Sequence, residues 1–346
     1  MNKKVTIKDV AAAAGVSHQT VSRVMNNRPD VARETRLRVL KVIEQLNYQP
    51  SAIARSLSRQ HSYTLGVVTA GLKYIGPSRT LNGITRQAED LGYGLILKEL
   101  PSFHTTSIKP IFDFLVSRQV DGIIWAVSEI GANRDHLQSQ LNDISIPMIF
   151  LTMGARDNMF IVAVDNYQGG RLATEHLLGQ GYRNIAHITG PLEWWEARQR
   201  KDGWHAALGE AGISPSEHQW ASGDWSSASG KAAMVKILED YPDVDAVFIG
   251  NDQMALGALH YASKCGIKVP DELAFVGFDN LPESEFFWPP LTTIRQNLRQ
   301  LGNIAVQELV QIIDAIREGE EVVEPKVITL HPELIVRQSS IRNNPS

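Results

Sequence analysis

Apolar strand-like runs and amphipathic helices alternate along most of this chain, from Thr64 onwards. Runs such as TLGVVT (64–69) and DAVFIGND (245–252) are apolar enough for strands that are covered on both faces. Segments with helical periodicity separate these runs, and strands at such spacing pair in parallel through helical crossovers. This alternation restricts the body of the chain to an α/β fold.

The number of apolar runs predicts two lobes, because eight strands exceed a single small sheet. The predicted strands are 64–69, 94–100, 121–127, 147–152, 160–165, 184–190, 245–252 and 272–279. The predicted helices are 79–91, 108–118, 134–142, 168–180, 196–211, 227–240 and 252–265. Each lobe is expected to be a doubly wound parallel sheet, with the break between them near Val162–Val164.

The N-terminal stretch TIKDVAAAAGVSHQTVSRVMN (6–26) has a different pattern, that of two short helices around a turn. Thr6 and Asp9 have the spacing of a capping box, Gly15 suits a left-handed helix end, and Ser17 can cap the second helix. Apolar residues at helical spacing predict a small core made of Ile7, Val10, Ala11, Ala14, Val16, Val21 and Val24.

The outer face of the second helix carries hydrogen-bonding groups and almost no apolar bulk. Its side chains are His18, Gln19, Thr20, Ser22 and Arg23. A helix that enters the DNA major groove reads base edges with residues in its first turns, so the pattern favours a helix-turn-helix. An ordinary solvated helix in a small bundle would share this pattern.

A third helix is predicted at about 33–46, with Leu37, Leu40, Ile43 and Leu46 closing a three-helix core. We therefore predict an all-α DNA-binding head at 1–47. A core of about 45 residues is only marginally stable. The segment 48–62 that follows has too little apolar bulk to fold alone, and it is predicted to be a hinge that becomes helical against a partner.

Charge is distributed unevenly along the chain. Residues 1–60 carry eleven basic and four acidic side chains, a net charge of +7, whereas the remainder carries 23 basic and 34 acidic side chains, a net charge of −11. A basic head on an acidic body indicates a polyanionic partner for the head alone. The single cysteine, Cys265, and the lack of a signal peptide or membrane span predict a cytoplasmic protein with no membrane partner.

Polar and aromatic side chains follow the predicted strands, where open α/β sheets bind their ligands. The candidate effector-binding residues are Leu72, Tyr74, Gln168, Trp194, Trp195, Arg200, Trp225, Asn251, Asp279 and Gln296. Carboxylate, amide and guanidinium groups match vicinal hydroxyls, and indole rings can cover the apolar face of a sugar. Structural roles are the alternative: Asp252 as the cap of helix 252–265, Asp165 and Asn166 as caps of helix 168–180, and a lone tryptophan as core.

Enzyme signals are absent from the sequence. It contains no nucleophile elbow, phosphate-binding loop, zinc-binding HExxH or dinucleotide fingerprint, and its histidines have no metal-ligand spacing. We therefore expect no catalytic residues, no metal and no cofactor.

The chain resembles the lactose-repressor (LacI/GalR) family of bacterial transcription regulators. The resemblance covers about residues 4–338 and is carried by VTIKDVAAAAGVSHQTVSRVMNN, by LNYQPSAIARSL and by body stretches such as GPLEWWEARQRKDGWHAAL and GNDQMALGAL. It implies a two-lobe body like a type I periplasmic binding protein at 63–338. Lobe 1 would hold about 63–163 and 294–326, lobe 2 about 164–292 and 327–338, and a loose tail 339–346.

The resemblance also implies roles for individual residues. His18 and Gln19 would read bases with Arg23 beside them, and Leu57 would wedge into the minor groove of the operator. The other DNA-contacting positions implied are Thr6, Ser17, Thr20, Ser22, Asn26 and Ala54. Arg200, Asn251 and Asp279 would hold sugar hydroxyls, with Trp225 as the aromatic wall. Ala32 stands where the family prefers a serine cap, an expected loss of about 1 kcal/mol.

The resulting expectation is a homodimeric transcriptional repressor that a galactoside- or glucoside-type inducer releases from a pseudo-palindromic operator. A dimer is expected because the chain ends soon after Arg337, without the heptad tail of tetrameric relatives. One alternative is a regulator with a purine or phosphosugar corepressor. Another is a sugar-binding protein of a transport system, against which the basic head argues.

Overall fold

The computed structural model describes residues 5–25, 28–48, 61–105, 107–130, 144–320 and 324–342. The chain forms two compact units, residues 1–63 and 64–346, called here the head and the body. The predicted helix at 134–142 and most of the predicted hinge, including Ala54 and Leu57, lie outside the described residues, as does Asn26.

The described residues of the head form three helices, α1 (Ile7–Ala14), α2 (His18–Met25) and α3 (Arg33–Gln45). The predicted capping box is confirmed, because the Thr6 hydroxyl accepts from the Asp9 backbone and the Asp9 carboxylate accepts from the Thr6 backbone. Gly15 ends α1 in the left-handed conformation at φ 64°. The Ser17 hydroxyl accepts from the Thr20 backbone N–H at 3.1 Å and so caps α2 as predicted.

The core of the head corrects the prediction for α3. Val39 is fully buried, whereas Leu37 and Leu40 are 59% and 46% exposed. A strict three-residue repeat drifts by about 60° per step around a helix of about 100° per residue, so Leu37 lies almost opposite Leu46. Val39 packs with Val10, Val21 and Val24 of the other helices, and Val42, Ile43, Leu46 and Tyr48 complete this core.

The described residues of the body form two six-stranded sheets, which confirms the predicted α/β fold with two lobes. The strands of lobe 1 are β1 (Thr64–Ala70), β2 (Gly94–Leu100), β3 (Gly122–Ala126), β4 (Met148–Leu151), β5 (Ile161–Val164) and β11 (Val327–Leu330). Those of lobe 2 are β6 (Ile185–Thr189), β7 (Trp220–Ser222), β8 (Ala246–Ile249), β9 (Ala274–Phe278), β10 (Thr292–Arg295) and β12 (Glu333–Ile335). Lobe 1 has the strand order β11-β5-β4-β3-β1-β2 and lobe 2 the order β12-β10-β9-β8-β6-β7.

Helices cover both sheets. In lobe 1 they are α4 (Ile75–Asp90), α5 (Lys109–Ser117) and α10 (Leu298–Glu318), and in lobe 2 α6 (Asn166–Gly179), α7 (Trp195–Glu210), α8 (Ser227–Asp240) and α9 (Asp252–Lys264). All described strand pairs are parallel except β10 with β12. Within the described residues, no helix is both long and apolar enough to cross a membrane.

Three features of the C-terminal part differ from the prediction. Val327–Leu330 was expected in lobe 2 but pairs in parallel with β5 of lobe 1. The crossing region Thr292–Arg295 is a strand of lobe 2, paired with β9. The expected loose tail is fixed at Ser339, whose hydroxyl donates to the Phe275 carbonyl at 2.7 Å and which is fully buried.

Three pairs of helices pack through reciprocal glycines. A Cβ on Gly170 of α6 would lie 2.2 Å from the Arg200 carbonyl of α7, and one on Gly203 of α7 would lie 2.1 Å from the Tyr167 carbonyl of α6. The same reciprocity occurs between α4 and α10 and between α8 and α9, through Gly83, Gly302, Gly230 and Gly257. The crossing of α6 and α7 fixes the position of α7, which carries Arg200.

Candidate functional site

A cavity of about 80 Å³ lies between the two lobes, at the carboxyl ends of their parallel strands. This is where open α/β sheets bind ligands. The cleft is partly open to solvent, and residues of both lobes line it.

Arg200, on α7, is the cationic group of the cavity. Its Nε donates to Asn166 Oδ1 at 2.9 Å and its Nη1 donates to the Gly250 carbonyl at 2.6 Å. The guanidinium also lies 3.7 Å from the ring centroid of Phe278. Burial lowers the pKa of Arg200, and the carboxylates of Asp279 and Glu196 oppose this effect. These contacts fix the guanidinium in one orientation beside the cavity.

Asp279 supplies a buried carboxylate directly after β9. It adopts φ 108°, in the region that favours glycine, and Asn280 follows at φ 46°. Gln296 Nε2 donates to the Asp279 carboxylate, and the backbone carbonyl of Asp279 accepts from Arg79 of lobe 1 at 3.1 Å. Burial raises the pKa of Asp279, and Arg200 opposes this shift. Hydrogen bonds from Gln296 and from Arg79 of lobe 1 therefore hold the strained backbone at Asp279.

The helix cap that was the predicted alternative role of Asp252 belongs to Asn251, which also lines the cavity. Asn251 caps α9, accepting from the Met254 N–H at 2.8 Å, and its amide donates to the Trp225 carbonyl at 3.1 Å. Asp252 instead accepts from the Leu281 N–H and from the hydroxyls of Ser284 and Thr293. Burial, and then the Asp279 carboxylate, raise the pKa of Asp252 to about 7. Asp252 therefore anchors the loop that carries Asp279 and does not line the cavity.

Aromatic side chains from both lobes meet at the cavity wall. Trp194 of lobe 2 contacts Tyr74 and Phe103 of lobe 1, with ring centroids 5.5 and 4.7 Å apart. Trp194 also meets Trp225 edge-on, with centroids 5.9 Å apart. Gly190 is required beside Trp225, because a Cβ there would lie 2.1 Å from the indole ring. These contacts close the cleft at one side.

Glu196 lines the cavity although it is not among the ten predicted effector-binding residues. It is 7% exposed, and its Oε1 accepts from the Ser128 hydroxyl of lobe 1 at 2.8 Å. Burial raises the pKa of Glu196. Its sequence position carried a signal, because it precedes Arg200 by four residues and shares that face of the helix.

Seven of the ten predicted effector-binding residues line the cavity: Tyr74, Trp194, Arg200, Trp225, Asn251, Asp279 and Gln296. Leu72, Gln168 and Trp195 do not. The Leu72 N–H donates to Glu99, the Gln168 N–H donates to the capping Asp165, and Trp195 packs on the core of lobe 1. Asp165 thus caps its helix as the alternative proposed.

Ten further residues outside the predicted set line the cavity. They are Ile75, Gly76, Pro77, Thr80, Ala126, Ser128, Thr152, Glu196, Gln253 and Leu298. Ser128 and Thr152 follow β3 and β4, so the strand-end rule could have found them. No group of three or more metal-ligating side chains occurs in the part of the chain that the structure describes.

In the head, the outer face of α2 is available to a partner. Ser17, His18, Gln19 and Arg23 are exposed, and Thr20 and Ser22 are half-buried. Arg23 forms an ion pair with Asp30 at 3.5 Å between two exposed side chains. Thr6 and Ser17 use their side chains as caps, so their predicted DNA contacts would have to coexist with these bonds.

A helix-turn-helix head with a polar recognition face and a two-lobe body with a polar cavity define a DNA-binding regulator. Comparison with known proteins agrees with this class. The family described as "Bacterial regulatory proteins, lacI family" matches residues 6–51, and the "Periplasmic binding protein-like domain" matches residues 174–340. The chain belongs to the lacI family and is a transcriptional repressor of that family.

Relatives match over nearly the whole chain. The HTH-type transcriptional repressor PurR of Edwardsiella ictaluri is 36% identical, covering 96% of each chain, and PurR of Pasteurella multocida is 35% identical, covering 96% of this chain and 98% of its own. The lac repressor dimer bound to operator and the anti-inducer ONPF has a TM-score of 0.85 at 32% identity, covering 98% of this chain and all of its own. The regulator CelR in complex with cellobiose has a TM-score of 0.71 at 30% identity, covering 97% and 99%.

Proposed function

We propose that this repressor binds a pseudo-palindromic operator as a homodimer in the bacterial cytoplasm, and that a neutral glycoside in the inter-lobe cavity releases it. The observation that carries the choice of ligand is the set of buried polar groups around the cavity, namely Arg200, Asp279, Glu196 and Gln296. The glycoside is of the galactoside or glucoside type. The proposal requires no cofactor besides this effector.

The charge of the cavity favours a neutral ligand with many hydroxyl groups. Two buried carboxylates, Asp279 and Glu196, face one guanidinium, Arg200. Hydroxyl groups can donate to both carboxylates and accept from the guanidinium, which satisfies each charged group by a hydrogen bond. A phosphorylated ligand would instead bring a second anion beside two carboxylates, and the electrostatic repulsion would oppose its binding.

The position of the cavity between the lobes also bears on regulation. Because residues of both lobes line the cavity, a ligand bound there contacts both lobes, and its affinity depends on their arrangement. A ligand that binds one lobe arrangement more tightly shifts the protein towards that arrangement, by an amount set by the difference in affinity. An inducer is a ligand whose preferred arrangement binds the operator poorly.

A purine corepressor is the second candidate, and the similarity to PurR proteins over 96% of the chain favours it. The same cavity contains groups suited to a nucleobase. Arg200 and Asp279 can pair with the polar edge of a planar ring, while Trp225 and Tyr74 offer aromatic surface. A corepressor would strengthen operator binding, so the two candidates differ in the sign of their effect.

Operator binding measured with a panel of ligands tests the proposal. Genomic fragments selected by the purified protein supply the operator, and fluorescence anisotropy gives its affinity with cellobiose, methyl β-glucoside, methyl β-galactoside, guanine or hypoxanthine. We expect a glycoside to weaken operator binding at least tenfold. Tighter binding with a purine and no effect of any glycoside would support the second candidate, and no response to either class would contradict both.

A further inference from the structure

We infer that Glu196 couples occupancy of the cavity to closure of the lobes, by sharing its carboxylate between a ligand hydroxyl and Ser128 of the opposite lobe. The inference rests on the proposed function, because it requires a hydroxyl-bearing ligand in this cavity. It assigns a regulatory and specificity-determining role to a residue outside the ten predicted effector-binding residues.

The two oxygens of Glu196 have different environments. Oε1 accepts from the Ser128 hydroxyl across the lobe boundary at 2.8 Å. Oε2 is buried and has no hydrogen-bond partner among the residues that the structure describes. A buried carboxylate oxygen without a donor is unfavourable, so this atom is a ready acceptor for a ligand hydroxyl in the cavity that Glu196 lines.

A second unsatisfied atom lines the same cavity. Trp225 Nε1 is buried and likewise lacks an acceptor within the described part of the chain. The cavity thus presents one unused acceptor and one unused donor. Hydroxyl groups supply both functions, since each can donate a proton and accept one. This pair of atoms predicts a ligand with at least one hydroxyl that donates to Glu196.

Glu196 also lies at the end of an inter-lobe clasp, defined here as residues 128–130 of lobe 1 and 194–196 of lobe 2. The Trp195 N–H donates to the Glu129 carbonyl at 3.0 Å, and Ile130 and Trp194 form an antiparallel bridge. Each lobe also contributes a side chain to the core of the other. Ile130 of lobe 1 is buried in the core of lobe 2, and Trp195 of lobe 2 packs on the core of lobe 1.

Charged groups reinforce the clasp. The Glu129 carboxylate accepts from Arg156 of lobe 1 at 2.8 Å, and Arg198 of lobe 2 approaches it at 4.0 Å. The clasp therefore joins the lobes by main-chain, apolar and ionic contacts. Among its polar side chains, Ser128 and Glu196 are the two that also line the cavity.

Ligand binding and closure of the lobes are linked equilibria, because both involve the Glu196 carboxylate. A ligand hydroxyl on Oε2 fixes the carboxylate in the orientation that accepts from Ser128, so a ligand that binds Glu196 favours the clasped arrangement. By linkage, clasping raises the affinity for that ligand by the same factor. Loss of either partner of Glu196 should therefore weaken the effect of the other.

The test combines Glu196→Gln, Ser128→Ala and the double variant with matched ligands. The probes are whichever of cellobiose, methyl β-glucoside and methyl β-galactoside the wild type binds, and its monodeoxy analogues. Calorimetry gives Kd, and small-angle scattering gives the change in radius of gyration on binding. Glu193→Gln, on an exposed carboxylate in the same segment, is the control. Operator binding and thermal melting verify that each variant is folded.

We expect Glu196→Gln to raise Kd about tenfold to a hundredfold, as for a lost hydrogen bond to a charged group. One monodeoxy analogue, lacking the hydroxyl that donates to Glu196, should lose this sensitivity. Ser128→Ala should raise Kd at least threefold in the wild type and less than twofold in the Glu196→Gln background. Glu193→Gln should leave Kd unchanged.

Additive effects of the two substitutions, or an equal loss for every analogue, would overturn the inference while leaving the proposed function intact. Absence of binding by the wild type to all three glycosides would overturn the glycoside proposal, and the inference with it. The two failures are therefore distinguished by the wild-type measurement alone.

Discussion

At the residue scale, the fully buried imidazole of His187 shows how the packing of lobe 2 controls a titratable group. It lies between Phe248 and Trp204, with ring centroids 4.5 and 5.6 Å away. Nδ1 is 2.8 Å from the Phe248 carbonyl, which can only accept, so the proton of the neutral ring is on Nδ1. Burial lowers the pKa of His187 to about 3. The folded protein therefore contains a neutral histidine across the physiological range.

This histidine predicts acid sensitivity of the body. Its folded pKa of about 3 lies below the roughly 6.5 of an exposed imidazole, so the unfolded chain takes up the proton first as the pH falls. Stability from this residue is complete above the unfolded pKa and falls by up to about 1.4 kcal/mol per pH unit below it. His187→Phe should lose this dependence. Urea unfolding at pH 7 and pH 5 should show the variant gaining about 2 kcal/mol relative to wild type at the lower pH.

The control is His260, which is exposed on α9. His260→Phe should retain the wild-type dependence on pH. Parallel unfolding curves for wild type and His187→Phe at both pH values would contradict the assignment.

Individual roles in the cavity were only partly predictable from sequence. The strand-end rule selected Arg200, Asp279 and Asn251, because parallel strands place such residues at one edge. It could not assign the cap to Asn251 over Asp252, since both types cap helices and the choice depends on the loop around Ser284. Which oxygen of Glu196 lacks a partner is likewise a tertiary property.

At the scale of elements, α6 and α7 cross with their backbones in contact, and this crossing positions Arg200. We predict that Gly203→Ala lowers the free energy of unfolding by about 1–3 kcal/mol or more, because the new methyl would meet the Tyr167 carbonyl. The shift should also weaken ligand binding. Gly209→Ala, in the same helix with open space around its Cβ position, should instead stabilise the protein by up to about 1 kcal/mol. Equal melting temperatures for the two variants would refute the packing argument.

The start of α3 offers a stabilising change. Ala32 has no side chain to accept from the first N–H groups of the helix. Ala32→Ser should stabilise the head by about 0.5–2 kcal/mol through a new N-cap bond. Amide exchange of α3 reports this directly, and exchange in the body should not change. Unaltered protection factors in α3 would mean that the serine does not cap.

Whether a segment forms a strand or a helix was more predictable than the sheet in which it pairs. Long apolar runs identified eight strands, whereas β11 was missed as a strand of lobe 1. Its residues alternate between exposed and partly buried positions at the edge of the sheet, so it lacks the continuous apolar run of a central strand. In α3, the leucines suggested a core face, but about 100° of rotation per residue selects Val39 instead.

At the scale of the whole molecule, the head and the body differ in net charge. The head carries a net charge of +7 within residues 1–60, and the rest of the chain is acidic. In the proposed function the effector binds the body and the operator binds the head, so a change in the conformation of the body has to connect the two binding events. Such coupling is reciprocal, so the factor by which an effector changes operator affinity equals the factor by which operator changes effector affinity.

Arg200→Ala should separate these two activities. The substitution removes the guanidinium that donates to Asn166 and Gly250 and that, together with Arg79, lowers the pKa of the buried Asp279 carboxyl. We expect the body to lose roughly 1–3 kcal/mol of stability, because the buried acceptors of Asn166 and Gly250 lose their donor. Below the melting temperature of the variant, operator affinity should stay within about twofold of wild type, because the head forms its own core. The factor by which effector changes operator affinity, and the equal factor by which operator changes effector affinity, should both fall to one. No effector concentration should then change operator binding.

Arg171→Ala is the matched control, since Arg171 pairs with Glu175 and Glu210 at the surface of the same lobe. It should respond to effector like the wild type. Anisotropy titrations of operator at increasing effector concentration measure both variants. Release of the Arg200→Ala protein at the wild-type half-saturating concentration would show that the guanidinium does not contribute to effector recognition. In that event effector recognition would depend on Asp279 and Glu196, the two buried carboxylates that line the cavity.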